Sequence, residues 1–484
     1  MNKTDLTSRD RIQGVFINMK IERGECTMGK FETFRQQYPE FVYHGFLLEE
    51  NEQKIKVRYD FSITGLSEFH PEWTFPKEKG QICFREDPVV QNLLFSIGLV
   101  ELISYWKMTC SPRVVIKAGS LSQQQATWWK KQYYNGLGEF FYKNGIQTGI
   151  ESFMTIESEG PSYPVGQGSQ MLEASLVPIG GGKDSIVTLD LLKKDREKNR
   201  CFIINPRGAT VKSAETAGYG KNQIISVYRT LDQNMLELNK QGFLNGHTPF
   251  SALVAFSAVL AAYLTGRKYV VLSNEASANE STVAGTDVNH QYSKSFQFEK
   301  DFHDYQEQYI GSGVYYFSLL RPWSEFQIAE YFSKLKAYHL IFRSCNAGSK
   351  QDIWCGNCSK CLFVFIILSP FLTNEELCSI FGENLLEDEK MLVLLDQLIG
   401  LEEEKPFECV GSREEINVAL SLTVRRLERE GEKLPLLLTH YVRTGLYEQY
   451  KNRTNPYNGY YNEENLVPCQ FVPLLKNAFN KEEL

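Results

Sequence analysis

The chain has 484 residues, 42% hydrophobic and 23% charged, which is the balance of a globular protein long enough for roughly two or three domains. A net charge of −7 with no dense Lys/Arg block argues against a dedicated nucleic-acid binder. The opening MNKTDLTSRDRIQ has no apolar signal core, no stretch reaches about 18 apolar residues free of charge, and the eleven cysteines lack the spacing of a secreted scaffold, so a reducing cytoplasm and no membrane partner are expected.

Residues 41–63 read as a β-hairpin, because Ile55, Val57, Tyr59 and Phe61 alternate with polar neighbours after the polar link EENEQ. QNLLFSIGLVELISYWKMT, residues 91–109, reads as a buried helix, and 113–116 as a short strand. QQQATWWKKQYYNGLGEFFY, residues 123–142, reads as an aromatic-rich helix broken at Gly136. These elements predict a mixed α+β domain over 1–165, closing in the linker ESEGPSYPVGQGSQ, residues 157–170. Within it Trp128, Trp129 and Tyr142 are expected in the core rather than as stacking surfaces.

Further on, strands at 176–179, 201–204, 223–227, 269–273 and 315–320 alternate with helices at 185–194 and 247–264. Thr248 is expected to cap the second helix, with Pro249 at its first position. Such alternation predicts an α/β domain over 166–400, built on a doubly wound parallel sheet. Residues 401–484 read as a mostly helical segment.

VPIGGGKDSIVTLDLL, residues 177–192, takes a strand through three glycines into a helix. Free N–H groups and the helix dipole favour phosphate at such a turn. The spacing fits neither the dinucleotide fingerprint nor the Walker loop, since Asp184 follows Lys183. It resembles the pyrophosphate loop S-G-G-x-D-S of the ATP pyrophosphatases, with Gly180 in place of the first serine. That resemblance implies that Gly180, Gly181, Gly182, Lys183, Asp184 and Ser185 hold ATP phosphates, with Asp184 near Mg²⁺.

Downstream, Cys345, Cys355, Cys358 and Cys361 form C-x9-C-x2-C-x2-C. Four thiolates favour a closed tetrahedral Zn²⁺ site, with an iron–sulfur cluster as the second reading. Gly356 permits the tight knuckle. Between the two motifs, SNEASANESTVAGTDVNHQYSKSFQFEKD, residues 273–301, follows a predicted strand. Loops there carry the site in doubly wound sheets. This one gathers Glu275, Glu280, His290, Tyr292 and Lys294, and His247 lies at a helix start nearby.

The strings GLVELISYWK, PIGGGKDS, GFLNGHTPFSAL, SNEASANES, NHQYSKS, LRPWSEFQIA, WCGNCSKCLFVF and KPFECVG resemble the MurL-type UDP-N-acetylmuramoyl-L-alanyl-L-glutamate epimerases over roughly residues 15–415. The resemblance implies a pyrophosphatase domain of the adenine nucleotide alpha hydrolase (HUP) type, with ATP and Mg²⁺ as cofactors. It implies UDP-MurNAc-L-Ala-L-Glu as substrate, its terminal L-glutamate being adenylated on the α-carboxylate, epimerised and released. His290 and Lys294 are then the first choices for the bases, ahead of Tyr292, Glu275, Glu280 and His247. Asn205 and Arg207 are expected near the nucleotide, and Arg321 either pairs with substrate or braces the fold. Two alternatives remain open. One is another adenylating enzyme, such as a 7-cyano-7-deazaguanine synthase-like protein or an amide ligase; the other is a nucleotide-binding regulator without turnover.

Overall fold

Successive side chains of a strand face opposite sides. Leu176, Phe202, Val270 and Tyr316 enter one hydrophobic core, while their chain neighbours Val177, Cys201, Val271 and Phe317 enter another. A sheet between two cores results in the computed structural model of the chain, which describes residues 29–77, 83–168, 170–282 and 289–479. The polar N-terminus and part of the 273–301 segment lie outside the described residues.

The strands are β1 (Glu40–Glu50), β2 (Lys54–Ile63), β3 (Ser67–Phe69), β4 (Glu72–Pro76), β5 (Arg113–Ile116), β6 (Thr155–Ser158), β7 (Leu172–Pro178), β8 (Arg200–Ile204), β9 (Ile224–Thr230), β10 (Arg267–Leu272) and β11 (Tyr315–Ser318). They form one mixed sheet in the order β11-β10-β7-β8-β9-β4-β2-β1-β5-β6, with β3 beside β2. From β11 to β9 every pairing is parallel. In this parallel part β8 and β9 follow β7 on one side, and β10 and β11 lie on the other. The strand order therefore reverses between β7 and β10, which opens a crevice at their carboxyl ends.

Helices cover both faces. Pro88–Trp106 and Phe250–Leu264 pack in one core. Lys183–Leu191, Ser359–Leu368 and Arg413–Glu430 pack in the other. Pro88–Trp106 is long and apolar enough to cross a bilayer, yet 94% of its most apolar 18-residue stretch is buried inside the protein. The hairpin forms as expected, with Phe41 opposite Ile63 and Glu50 opposite Ile55. The aromatic helix breaks where expected, into Gln123–Gly136 and Gly138–Lys143. Trp129 is in the core and donates to the Tyr305 hydroxyl at 3.0 Å, whereas Tyr142 is 45% exposed.

Tyr142 is therefore not in the core as expected, and the start of one helix is also corrected. The helix expected from His247 begins at Phe250, and Thr248 does not cap it. Pro249, at φ −71° and ψ 76°, centres an inverse γ-turn, closed by the Phe250 N–H donating to the Thr248 carbonyl at 2.7 Å. His247 is thereby left outside the helix.

The expected boundary near residue 165 falls between β6 and β7, and antiparallel pairing of β4 with β9 makes the sheet continuous across the two parts. At this seam Trp73 stands opposite Arg229. Both reach the fully buried Glu101 of helix Pro88–Trp106. The Trp73 indole N–H donates to Glu101 Oε2 at 2.9 Å, and the Arg229 guanidinium donates to both carboxylate oxygens at 2.7 and 2.8 Å. Removing one member of a buried pair strands the other charge, so Glu101→Ala is expected to cost about 3–5 kcal/mol. Denaturant unfolding checks this, with Glu101→Ala less stable than an Arg229→Met/Glu101→Leu double variant.

Candidate active site

The glycine turn lies at the sheet reversal. β7 ends at Pro178 and the next helix starts at Lys183, with Gly182 at its N-cap and no capping side chain. The first N–H groups of that helix are thus left for an anion. Gly181 has φ +80°, and a Cβ there would meet Ala209 Cβ and Thr210 N at 3.1 Å, so only glycine fits. The Arg343 N–H straps the turn by donating to the Gly181 carbonyl at 2.7 Å. Beside it, Ser344 Cβ lies 3.2 Å from where a Gly182 Cβ would stand. The Ser344 hydroxyl is buried without a hydrogen-bond partner among the described residues. A Cβ on Gly180 would meet open space, so sterics do not exclude serine there. Ser185 Oγ donates to the Gly182 carbonyl at 3.1 Å.

Three carboxylates converge behind the turn. Asp184, Glu275 and Glu325 place oxygens within 4.8 Å of one another. Asp184 follows β7, Glu275 follows β10, and Glu325 opens helix Glu325–Ser333. The buried Lys183 ammonium donates to both Asp184 and Glu325, so it neutralises carboxylates here rather than reaching out of the turn. Burial opposes the charge on Lys183, but the two carboxylates outweigh it and raise its pKa. Burial also opposes ionisation of Asp184, yet Lys183 and Lys360 hold it below its ordinary value. Glu275 is raised by burial and by Asp184, and burial pushes Glu325 to about 7 against the pull of Lys183. Three carboxylates with oxygens this close together are the hard oxygen donors that a Mg²⁺ ion takes.

A second cluster adjoins the first through Lys294. Its ammonium donates to Cys409 Sγ at 3.1 Å, and Glu275 and Asp184 act on it from the other side. His290 Nδ1 is 2.6 Å from Glu139 Oε2, which lies 3.5 Å from His247 Nδ1. The two imidazole rings are 4.4 Å apart. These three residues have a donor set suited to a metal, but nitrogen and oxygen on one tetrahedral ion stand about 3.3 Å apart, so the 2.6 Å contact is a direct hydrogen bond. Burial opposes charge on His290, but Cys409 and Glu139 outweigh it and push it to about 9. Burial and the charge of His290 push His247 down to about 4. Lys294 is raised, because Cys409 and Glu275 outweigh its burial. Burial opposes the Cys409 thiolate, yet Lys294 and His290 bring the thiol to about 6.

The remaining expected residues have other partners. Glu280 is ion-paired with Lys405. Tyr292 is buried beside Phe298, with ring centroids 6.1 Å apart. Asn205 joins β8 to β9, its side chain donating to the Arg229 carbonyl and accepting from the Arg229 N–H, each at 2.9 Å. Arg207 is exposed at the start of helix Gly208–Thr216. Arg321 is fully buried on Glu299 at 2.9 Å and also donates to the Glu275 and Lys294 carbonyls, so it braces both clusters.

The four cysteines converge as their spacing suggested. Cys345–Cys358 and Cys355–Cys361 are 3.7 Å apart, and Cys358–Cys361 is 3.5 Å. Bonds of ~2.3 Å to a tetrahedral zinc place sulfurs about 3.8 Å apart, so the set fits that ion. Gly356, at φ +73°, turns the knuckle.

The MurL N-terminal domain matches residues 32–319 and the MurL C-terminal domain matches residues 341–449. The chain belongs to the MurL family. The UDP-N-acetyl-alpha-D-muramoyl-L-alanyl-L-glutamate epimerase of Xanthomonas oryzae pv. oryzae (strain MAFF 311018) is 36% identical over 347 residues, covering 70% of this chain and 76% of that protein. The protein of the same name from Salinispora tropica (strain ATCC BAA-916) is 33% identical over 376 residues, covering 75% and 80%. That from Micromonospora sp. (strain ATCC 39149) is 35% identical over 340 residues, covering 68% and 74%. No solved structure matches this chain significantly.

In this MurL chain, sequence reasoning missed Glu139, Glu325 and Cys409. Glu325 had one local signal, the Ser324–Gln327 capping box that starts its helix. Glu139 sits in an aromatic helix and Cys409 in a loop between helices, and neither belongs to a spacing motif.

Two outcomes are expected of the MurL chain. Metal analysis will find about one zinc per chain, and Cys358→Ala will lose it together with thermal stability. His290 has a raised pKa, so its contact with Glu139 stabilises fully below the ordinary value of 6.5 and is lost as pH rises through about 9. Thermal melting of Glu139→Gln against wild type will show a deficit near neutral pH that shrinks above about 9.

Proposed function

We propose that the chain is an ATP-dependent epimerase that converts the terminal L-glutamate of UDP-MurNAc-L-Ala-L-Glu to D-glutamate. The observation that carries this reading is the contact between two clusters of different chemistry. A phosphate turn backed by Asp184, Glu275 and Glu325 suits adenylation. The Lys294–Cys409–His290–Glu139–His247 group suits proton transfer. An enzyme that only adenylates has no use for the second. The order β9-β8-β7-β10-β11 with a glycine turn after its central strand supports a pyrophosphatase domain of the HUP type.

A carboxylate opposes loss of its own α-proton, because its charge resists formation of a second negative centre. Joining the carboxylate oxygen to the α-phosphorus of ATP expels pyrophosphate and removes that charge. The α C–H bond then breaks to a base, and its electron pair is held as an enolate by fixed positive groups. A proton returns on the other face, and water releases AMP and the epimer. The chain's own residues have divided tasks. Gly181, Gly182 and the N–H groups that open the helix at Lys183 cradle phosphate, and Ser344 offers the hydroxyl that Gly180 lacks. Lys294 faces the developing enolate charge. Asp184, Glu275 and Glu325 would hold Mg²⁺, which neutralises phosphate charge when bound. The four cysteines would hold Zn²⁺ as a structural ion, which would fasten the segment carrying Arg343 and Ser344 to the turn.

Incubation with ATP, Mg²⁺ and UDP-MurNAc-L-Ala-L-Glu in deuterated water is expected to give AMP, pyrophosphate and inverted glutamate with deuterium at its α-carbon. A folded, ATP-binding protein that gives no exchange would falsify the reading. AMP formed only with a deazapurine carboxylate or an added amine would instead indicate the other adenylating enzymes. Asp184→Asn is expected to abolish AMP formation with the fold intact. Ser344→Ala is expected to raise the KM for ATP by about tenfold, the scale of one hydrogen bond to a charged group, and Gly180→Ser in the same chain should restore part of it.

A further inference from the structure

We propose that Cys409 is the catalytic base that takes the α-proton from one face of the activated glutamate, an assignment that rests on the epimerase reading above. Its thiol is half-buried in the loop between helices Leu392–Ile399 and Arg413–Glu430. Three cations face it. The Lys294 ammonium is 3.1 Å from the sulfur, His290 stands beside it, and Lys360 donates to the Cys409 carbonyl. Behind His290 are Glu139 and His247, and the preceding residue, Glu408, is bonded to Asn346 at 2.6 Å. Lys294 also faces Glu275 and Asp184, so the sulfur is one side chain away from the place where the carboxylate would be activated.

The electrostatics of the cluster eliminate its other members. Lys294 already donates to the Cys409 sulfur, and His290 is held as a cation at neutral pH with no lone pair for the proton. Glu139 already accepts from His290. His247 is neutral but titrates at about 4, too weak a base for a carbon acid. Cys409, brought to about 6, is a thiolate at neutral pH and stays nucleophilic toward hydrogen. In the step, the Cα–H bond breaks, an S–H bond forms, and the carbon electron pair moves into the acyl carbonyl. A solvent-derived proton reaches Cα on the opposite face. The thiol resets by releasing its proton to solvent water.

The test separates two readouts in the same tube: pyrophosphate release and α-deuterium incorporation, with ATP, Mg²⁺ and UDP-MurNAc-L-Ala-L-Glu in deuterated water. Cys409→Ser and Cys409→Ala are expected to lose exchange by about 10²–10⁴-fold while pyrophosphate release continues. Melting temperature and zinc content confirm that each variant is folded. Exchange retained in both variants overturns the assignment and leaves the epimerase reading standing. Loss of pyrophosphate release in step with exchange also overturns it, because the residue would then serve binding or folding. Absence of both signals in wild type removes the epimerase reading and this assignment with it. A pH profile adds an independent readout. Wild-type exchange is expected to fall below a pH of about 6 as the thiolate protonates, and Lys294→Met is expected to move that limb upward. An unmoved limb counts against the thiolate.

Discussion

The buried carboxylate of Glu101 fixes how the two parts of this protein meet. It lies in an otherwise apolar helix and takes hydrogen bonds from residues on the two strands that join at the seam, Trp73 of β4 and Arg229 of β9. A buried ion pair adds little net stability over a well-packed apolar core. Its effect is selective, because a shifted register between β4 and β9 would leave Arg229 charged and unpaired in a dry interior. With that register set, the aromatic helices beyond β5 stand over the carboxyl end of the parallel strands. Glu139 then comes within reach of His247 and His290.

Crowded charge governs the site itself. Like charges in a confined space push each other's protonation states apart. Burial and repulsion raise Glu275 and Glu325, while Lys183 keeps Asp184 ionised. The same division recurs across Lys294, where one histidine is driven to the cation and the neighbouring one to the neutral form. Two carboxylates or two imidazoles of equal intrinsic strength thus acquire different chemistry from their surroundings. Arg321, bonded to the backbone beneath both groups, keeps them in one frame.

Much of this was legible in the sequence because it is local. Alternation in 55–61, the glycine turn at 180–182 and the cysteine spacing from 345 to 361 each depend on residues close in the chain, and each forms as read. The partners of Lys183, Lys294 and His290 were not legible. A lysine after a glycine turn suggests phosphate, and a His near a Lys suggests a pair of bases, but the side chains they bond are Glu325, Cys409 and Glu139, all distant in sequence. The lone Glu101 in an apolar helix was visible, since a charge there demands a buried partner, but nothing in the sequence named Arg229. The start of the helix at Phe250 was missed because a proline after a threonine suits both a capped helix and a γ-turn.

The loop that carries Cys409 is gripped by residues far from it in sequence. Tyr142 packs at a tilt on Phe407 at 5.4 Å and bonds Glu404 at 3.0 Å, and Lys143 lies over the same ring at 4.7 Å. Ribosomes extend a chain at about 5–20 residues per second, so the order in which these parts emerge matters. The glycine turn and its strand are made early, the cysteine knuckle much later, and the gripped loop later still. A nascent or prematurely released polypeptide holds the glycine turn without the sulfur, and its short helix at Gly138–Lys143 has nothing to clasp. The cluster around Cys409 is therefore completed only late in synthesis, when residues 404–409 have been made.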